Sequence, residues 1–326
     1  MKSNGNDRTC ISMTPSGSRG TEHCNGCSLC MLSCPVWHNT GDPFLTFCGR
    51  ARILQSSTEE NIRDSLNACI LCGSCEPLCS YDINTVDRTI DARSGSGERT
   101  GGTPVTVPGA RANGKVLLAN SLILNDDTIL KRTLEALGEE WSVFEDNGED
   151  ISASLEAGNQ VDNYRVNEFI DMLSTADEIV TTDGLIFRVI KRFMPELNVM
   201  GLGERMITRS VLEEMIGPED LYIIDSRTYH SDFKKLASIY DGLRQKTGCM
   251  MNLDLNRVAT PSGVTIHNRN EDKKLVDPAR QVAWILEGRP AKRIIVEKIE
   301  DREPFSGYPA DVLFITEILE DNGNLG

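Results

Sequence analysis

The stretch CNGCSLCMLSCP, residues 24–35, decides the fold of the first part of this chain. Its four cysteines follow the spacing Cys-x2-Cys-x2-Cys-x3-Cys, and a proline comes directly after the last of them. The stretch CILCGSCEPLCS, residues 69–80, repeats the cysteine spacing 45 residues further along. A spacing this specific, present twice, indicates a pair of related sites that use thiolate side chains.

This spacing is that of bacterial ferredoxins with two 4Fe–4S clusters, in which three close cysteines hold one cluster and the fourth ligates the other. The first cluster is therefore predicted to have the ligands Cys24, Cys27, Cys30 and Cys79. The second is predicted to have the ligands Cys69, Cys72, Cys75 and Cys34. Because this exchange ties two short helical hairpins together, we expect cluster assembly and folding to be coupled.

Two zinc sites are the alternative, since four thiolates also hold zinc. Zinc sites usually use paired Cys-x2-Cys motifs rather than runs of four cysteines, which favours iron–sulfur clusters. Gly73 lies inside the second run, where a missing Cβ lets backbone amides approach cluster sulfurs. Ser80 follows Cys79 where such motifs usually carry proline, which weakens the local turn but removes no ligand.

Three of the eleven cysteines lie outside the two runs. Cys48 is expected to be a buried free thiol rather than a ligand, and Cys10 and Cys249 have no partner at ligand spacing. The four histidines lack the i, i+4 pairing of a metal-binding helix. His23 and His38 flank the first run, where they either tune its potential through hydrogen bonds or simply pack.

Composition excludes several classes of function. The chain has 326 residues, 39% hydrophobic and 25% charged, as in a globular protein of two or three domains. A formal net charge of −15 disfavours nucleic acid and anionic membrane surfaces as partners. No apolar run reaches the ~18 residues of a spanning helix, so direct membrane insertion is not expected. The polar start lacks an export segment, so we expect a cytoplasmic protein, in which disulfides are disfavoured.

The chain is predicted to have five segments. Residues 1–22 form a flexible tail, 23–93 the domain of the two cysteine runs, and 94–113 a linker rich in Gly, Ser and Pro. Beyond the linker, apolar runs alternate with amphipathic helices, which predicts β-α-β units around a largely parallel sheet. The stretches 175–180 and 290–295 occupy equivalent places in two such series, which predicts an internal duplication.

The predicted halves of the duplication are 114–218 and 219–326. Their strands are expected at 115–119, 141–144, 178–181, 221–224, 293–296 and 311–315. The fold class is therefore α+β. An all-α, ferredoxin-like domain for two 4Fe–4S clusters would precede a duplicated α/β domain.

Further motifs resemble a known family. They are Cys-Pro-Val-Trp at 34–37, Gly-Arg-Ala-Arg-Ile-Leu at 49–54, the second cysteine run, and Asp-Ile-Asn at 82–84. Over roughly residues 23–93 the chain resembles iron–sulfur subunits of the heterodisulfide reductase type. The glycolate oxidase iron–sulfur subunit and the anaerobic glycerol-3-phosphate dehydrogenase C subunit share this module. In many relatives it is followed by two "CCG" repeats, whose cysteines hold a further cluster.

The resemblance extends into the C-terminal region without the cysteines. Tyr-His-Ser-Asp at 229–232 is similar to the start of a second CCG repeat. The repeat cysteines are replaced by Asp183, Ile186, Phe233, Ala259 and Thr260. With only Cys249 after residue 79, this region cannot build a thiolate-ligated cluster. The resemblance therefore implies a degenerate CCG-like scaffold that docks partners.

The favoured function is that of a non-catalytic electron-transfer subunit, relaying electrons through two 4Fe–4S clusters between a flavin-bearing partner and another redox subunit. A flavoprotein, a hydrogenase, a formate dehydrogenase and a membrane quinone-reactive subunit all remain open as partners. One alternative is a heterodisulfide or thiol reductase with its own C-terminal site, which the missing cysteines disfavour. Another is a structural or regulatory module in which the clusters act as folding staples or as an oxygen sensor.

Overall fold

The computed structural model describes residues 10–96, 111–255, 257–264 and 275–319. Most of the predicted linker, from 97 to 110, and the first nine residues of the predicted tail lie outside the described residues. Within the described ranges, no helix is long and apolar enough to cross a membrane.

Short helices build the cysteine-rich part of the chain. They are α1 (Pro35–Thr40), α2 (Phe47–Leu54), α3 (Arg63–Ala68) and α4 (Thr85–Ser96), with 3-10 turns at Thr21–His23, Leu29–Met31, Pro43–Leu45 and Glu59–Ile62. Cys34, the last cysteine of the first run, is the N-cap of α1, and Pro35 takes the first helical position, where its missing N–H costs nothing. The two cysteine runs therefore lie between short helices, and α1 begins at a favourable N-terminus.

A four-stranded parallel sheet follows within the described residues. Its strands are β1 (Gly114–Leu118), β2 (Trp141–Val143), β3 (Ala176–Thr181) and β4 (Val199–Gly201), in the order β2-β1-β3-β4. The central strands are apolar and buried because helices cover both faces. These helices are α5 (Ser121–Leu124), α6 (Asp127–Leu137), α7 (Glu149–Ala157), α8 (Asn163–Leu173), α9 (Gly184–Phe193) and α10 (Leu202–Thr208).

The last part of the described chain forms a second parallel sheet. In chain order its elements are β5 (Asp220–Ile223), α11 (Ser226–Ser231), α12 (Phe233–Thr247), β6 (Met250–Met251), the antiparallel pair β7 (Leu253–Asp254) and β8 (Val258–Ala259), α13 (Pro278–Leu286), β9 (Arg293–Val296), α14 (Arg302–Phe305) and β10 (Asp311–Phe314). The parallel strands lie in the order β10-β9-β5-β6, with 3-10 turns at Ile299–Asp301 and Glu317–Leu319.

The two parallel sheets have the same topology. Numbered from its own first strand, each sheet has the order 2-1-3-4, and the stretches 175–180 and 290–295 each lead into a third strand. The two sheets thus share their strand order, and an internal duplication of the sequence stays a prediction. In both sheets the second strand lies on one side of the first strand and the third strand lies on the other side. Such a switch point leaves a crevice at the carboxyl ends of the first and third strands.

The carboxyl edges of the two sheets lie near each other. Asn120, which follows β1 and caps the start of α5, donates from Nδ2 to Glu300 Oε1 at 2.9 Å. One buried apolar core runs through both halves and includes Leu117, Val180, Ile223 and Val296. The two α/β halves therefore share a core.

The described part of the predicted tail packs against the rest of the chain. Met13 is fully buried, and the Asp91 carboxylate on α4 accepts hydrogen bonds from the backbone N–H groups of Met13 at 2.7 Å and Thr14 at 3.0 Å. Residues 10–22, for which a flexible tail was expected, are thus held by one buried side chain and a charge-assisted pair of hydrogen bonds.

Candidate metal centre

The first cysteine run lines a cavity together with one cysteine of the second run. The thiols around it are those of Cys24, Cys27, Cys30, Cys48 and Cys79. The cavity has an empty volume of about 350 Å³, open solvent included. Cys27 is exposed at this site, whereas Cys48 is buried. The four cysteines predicted to hold the first cluster therefore surround one space, with a fifth thiol beside them.

The second run lines a neighbouring cavity in the same way. Its thiols are those of Cys69, Cys72, Cys75 and Cys34, and Cys30 of the first set also reaches it. The empty volume is about 450 Å³, open solvent included. Since Cys30 lines both spaces, the two cavities adjoin, and the fourth cysteine of each run lies with the other run.

Burial makes these thiols poor acids on their own. Loss of solvation raises the pKa of Cys72 to about 12 and raises the pKa of Cys30, Cys34 and Cys75, because a buried thiolate loses its hydration. Neighbouring thiols add to the rise through repulsion between like charges. Thiolates in such a place need a cationic partner, and bound iron supplies one.

The arrangement of donors fits a group of several atoms. Within the described residues, no three Cys, His, Asp or Glu side chains converge closely enough to hold a single metal ion. A zinc site would bring four sulfurs around one point at about 2.3 Å. Here the thiols of each set instead line a cavity without converging on one point, an arrangement that suits an iron–sulfur cluster better than a single zinc ion.

Arg50 places a positive charge beside the second cavity. Its buried guanidinium donates to Ser65 O at 2.8 Å and to Thr89 Oγ1 at 3.2 Å, with no carboxylate at salt-bridge distance among the described residues. Gly49 before it has no room for a side chain, since a Cβ would lie 2.1 Å from Pro43 O. The Gly-Arg pair of the sequence thus brings a cation without a carboxylate partner among the described residues next to the cysteines, a role that the sequence alone does not reveal.

Hydroxyl groups lie within hydrogen-bonding distance of two sulfurs of the second set. Ser74 Oγ is 3.3 Å from Cys72 Sγ, and Thr85 Oγ1 is 2.8 Å from Cys75 Sγ. Hydrogen bonds to cluster sulfur stabilise the more reduced state, so these groups are suited to set a potential.

The C-terminal half covers the second run through His230. Its Nε2 accepts a hydrogen bond from the Ala259 N–H at 3.2 Å, so Nδ1 carries the proton and donates to Cys72 O at 2.8 Å. Burial lowers the pKa of His230 to about 4, which keeps the ring neutral. Gly73, with φ of +75°, packs so tightly here that a Cβ would lie 2.7 Å from His230 Cβ.

Two buried arginines hold the second run against the α/β halves. Arg188 on α9 forms ion pairs with Glu76 at 2.7 Å and with Asp87 at 2.6 Å. Arg227 on α11 pairs with Glu156 at 2.9 Å and donates to Ile70 O at 2.8 Å. Glu76 and Ile70 both belong to the second run, so the second cavity is fastened from both halves.

The remaining predicted residues lie elsewhere. His23 pairs with Glu22 at 3.1 Å, and the ring of His38 stacks on Trp284 with 3.9 Å between centroids. Neither lines a thiol cavity, which agrees with simple packing, and His267 lies outside the described residues. Cys10 is exposed and donates to Gln160 Oε1 at 3.3 Å, and Cys249 is buried ahead of β6.

The positions where CCG repeats would carry cysteines have ordinary structural roles. Asp183 caps α9 by accepting a hydrogen bond from Leu185 N at 2.7 Å, and Ile186 is fully buried. Phe233 contacts Tyr229 edge to face at 5.6 Å between centroids. Ala259 is fully buried, and Thr260 N donates to Asn252 O at 2.8 Å. These side chains cap α9 or pack inside one of the two α/β halves.

Comparison with known proteins identifies the cysteine-rich part. No curated protein sequence and no solved structure matches the chain. A family model described as the 4Fe-4S dicluster domain matches residues 20–83, a range that contains both cysteine runs. The matched range also contains Arg50 and the Gly73–Ser74 turn described above. The N-terminal part of this chain is therefore a 4Fe–4S binding domain with an iron–sulfur electron-transfer role.

Proposed function

We propose that the chain is an electron-transfer subunit of a multi-subunit oxidoreductase of the heterodisulfide reductase type. In this proposal the first cluster has the ligands Cys24, Cys27, Cys30 and Cys79, and the second has the ligands Cys69, Cys72, Cys75 and Cys34. When bound, each cluster takes up and releases one electron. The observation that carries the proposal is the pair of adjoining cavities, each lined by one of these sets of thiols.

The surroundings of the first cavity suit exchange with a partner. Cys27 is exposed, and Leu29 and Leu32 of the same run expose 45% and 49% of their surface. Exposed apolar side chains close to a redox group favour docking of another protein. A flavoprotein or another redox subunit would therefore meet this chain at the first run.

The second cavity is suited to a different potential. Arg188 and Arg227 fasten the α/β halves against the second run, while Arg50 and the Ser74 hydroxyl would stabilise negative charge beside the cavity. Two clusters in different environments would have different potentials, and that difference would set the direction of electron transfer. The second cluster would hold electrons that the first exchanges with a partner.

The C-terminal halves would serve as a docking scaffold. The residues at the cysteine positions of CCG repeats cap helices and fill the core, and the chain carries an excess of acidic residues suited to a basic partner surface. This role accounts for a duplicated fold that holds no thiolate set of its own.

One observation favours a reductase with its own site as a second candidate. A polar cavity with an empty volume of about 310 Å³, open solvent included, lies between Cys72 and the carboxyl ends of β5 and β9, where Asp225 and Lys298 line it. Crevices at such a switch point bind ligands in other α/β proteins. Turnover of a disulfide substrate by the isolated chain with an artificial electron donor would select this function over the relay.

Metal analysis of the whole chain tests the relay. Anaerobically purified protein should contain about eight iron atoms and about eight sulfides per chain, and dithionite should produce the EPR spectrum of two interacting reduced clusters. A content of about four irons, or zinc in place of iron, would refute the proposed ligand sets.

Ligand variants test the crossed arrangement. Cys79→Ser lies in the second run but should remove the first cluster, and Cys34→Ser should remove the second. Cys249→Ser is the matched control, since this buried thiol lines neither cavity. Loss of the cluster held by the remaining three cysteines of the same run would contradict the crossing.

A further inference from the structure

Cys48 is a thiol that the proposed ligand sets do not use. It lies in α2, is 5% exposed, and lines the first cavity together with the four cysteines of the first set. Its sequence neighbourhood contains no ligand motif, so only the fold brings it there.

Residues of the first cysteine run lie close to Cys48 where it faces the first cavity. Its Sγ lies 3.7 Å from the hydroxyl of Ser28, the residue after Cys27. Cys48 therefore lines the same cavity as the four proposed ligands and lies beside the residue that follows Cys27.

The helix holds Cys48 in this place. Thr46 caps α2 by accepting a hydrogen bond from Gly49 N at 3.2 Å, and Phe47 and Ala51 on either side of Cys48 are buried. Cys27, in contrast, is exposed in the loop between the ligands of the first run. Cys48 is thus fixed and shielded from solvent, whereas Cys27 is open to solvent.

We propose that Cys48 is a reserve ligand of the first cluster that takes the place of Cys27. In the exchange, the bond between iron and the Cys27 sulfur breaks and a bond between the same iron and the Cys48 sulfur forms. The Cys48 thiol proton passes to the released Cys27 thiolate, so no electron is gained or lost. Four thiolates would thus hold the cluster both before and after the exchange.

This inference rests on the proposed first cluster, and the experiment separates the two. Wild-type protein, Cys27→Ala, Cys48→Ala and the double variant are purified anaerobically. Iron and sulfide content and the EPR spectra of oxidised and reduced samples are recorded. A wild-type content well below about eight irons would overturn the proposed clusters themselves, whatever the variants show.

Cys27→Ala is expected to retain about eight irons with a changed EPR line shape, whereas the double variant should lose the first cluster or keep only three of its irons. Equal loss in Cys27→Ala and in the double variant would overturn the reserve role. Loss of the first cluster from Cys48→Ala alone would also overturn it, because Cys48 would then be a permanent requirement.

The second cavity provides the matched control. Among the described residues, this cavity is lined by the four thiols of the second set and by one further thiol, that of Cys30, which belongs to the first set. Cys69→Ala should therefore lose the second cluster whether Cys48 is present or not. Far-UV circular dichroism of each variant distinguishes loss of a cluster from loss of the fold, and Cys27→Ser repeats the test with a side chain of similar size.

Discussion

Replacing Gly73 with alanine would test how closely the C-terminal half covers the second cysteine run. Gly73 has a φ of +75°, and an added Cβ would lie 2.7 Å from His230 Cβ. Real Cβ atoms essentially never come closer than 3.0 Å and ordinary contact begins at 3.4 Å, so the two backbones would have to separate by about 0.3–0.7 Å. Both the local conformation and the contact with His230 oppose the change.

The cost can be divided between these two causes. A left-handed backbone costs a non-glycine residue about 1–2 kcal/mol. Forcing an extra methyl group into a packed contact costs about 1–3 kcal/mol more. Gly73→Ala should therefore destabilise the protein by about 2–5 kcal/mol.

Gly41→Ala is the matched control. Gly41 has a φ of +66°, and nothing lies within 4 Å of its added Cβ, so only the conformational cost of about 1–2 kcal/mol applies. Both variants and the wild type are unfolded in urea under anaerobic conditions, followed by far-UV circular dichroism and by the visible absorbance of the clusters.

The difference in urea unfolding between Gly73→Ala and Gly41→Ala tests the packing of His230 on the second run. Gly73→Ala should unfold at a clearly lower urea concentration than Gly41→Ala, with an earlier loss of cluster absorbance. Equal destabilisation of both variants would refute the close packing of His230 on the second run.

Three further changes have defined outcomes. Arg188→Met leaves two buried carboxylates without their cation and should cost about 3–5 kcal/mol in urea unfolding. Arg192→Met on the same helix should cost much less, because the guanidinium of Arg192 bonds the backbone carbonyls of Met13 and Thr14 and, among the described residues, no carboxylate. Ser74→Ala removes a hydrogen-bond donor to the Cys72 sulfur. The midpoint potential of the proposed second cluster should therefore fall by about 20–60 mV in an EPR-monitored titration. An unchanged potential would show that the hydroxyl does not reach the cluster. Burial raises the pKa of Glu297 from 4.5 to about 7, so the folded protein keeps a proton that the unfolded chain releases. Stability should therefore fall by up to about 3 kcal/mol as the pH rises from about 4.5 to 7, and Glu297→Gln should flatten this part of the profile of urea midpoints, whereas parallel profiles would contradict the shift.

Ligand sets can be predicted from the sequence because ligand spacing is a local property. Each run supplies three thiols within seven residues, and in the structure each predicted set lines one cavity, while cluster ligation by these thiols stays a prediction. Most predicted strands were also found close to their observed bounds, such as 115–119 for β1 at Gly114–Leu118, since buried parallel strands are continuous apolar runs. The short elements β6 to β8 and helix α11 were not predicted, because two to six residues give no readable period.

Long-range contacts account for what the sequence could not reveal. Cys48 was assigned to packing, since no spacing rule says which residues of α2 line a cavity made by another segment. His230 and Arg188 touch the second run from more than a hundred positions away. Such contacts depend on how the α/β halves dock, which composition and periodicity do not determine.

The unequal cover of the two cavities has a consequence for how the protein matures. An iron–sulfur donor protein could reach the first run in the finished fold, where Cys27 lies at the surface. Arg188 and Arg227 hold the second run against the α/β halves, so we expect its proposed cluster to be inserted before these contacts form. The proposed cluster at the exposed first run would then be the one that can be lost and replaced in the finished fold.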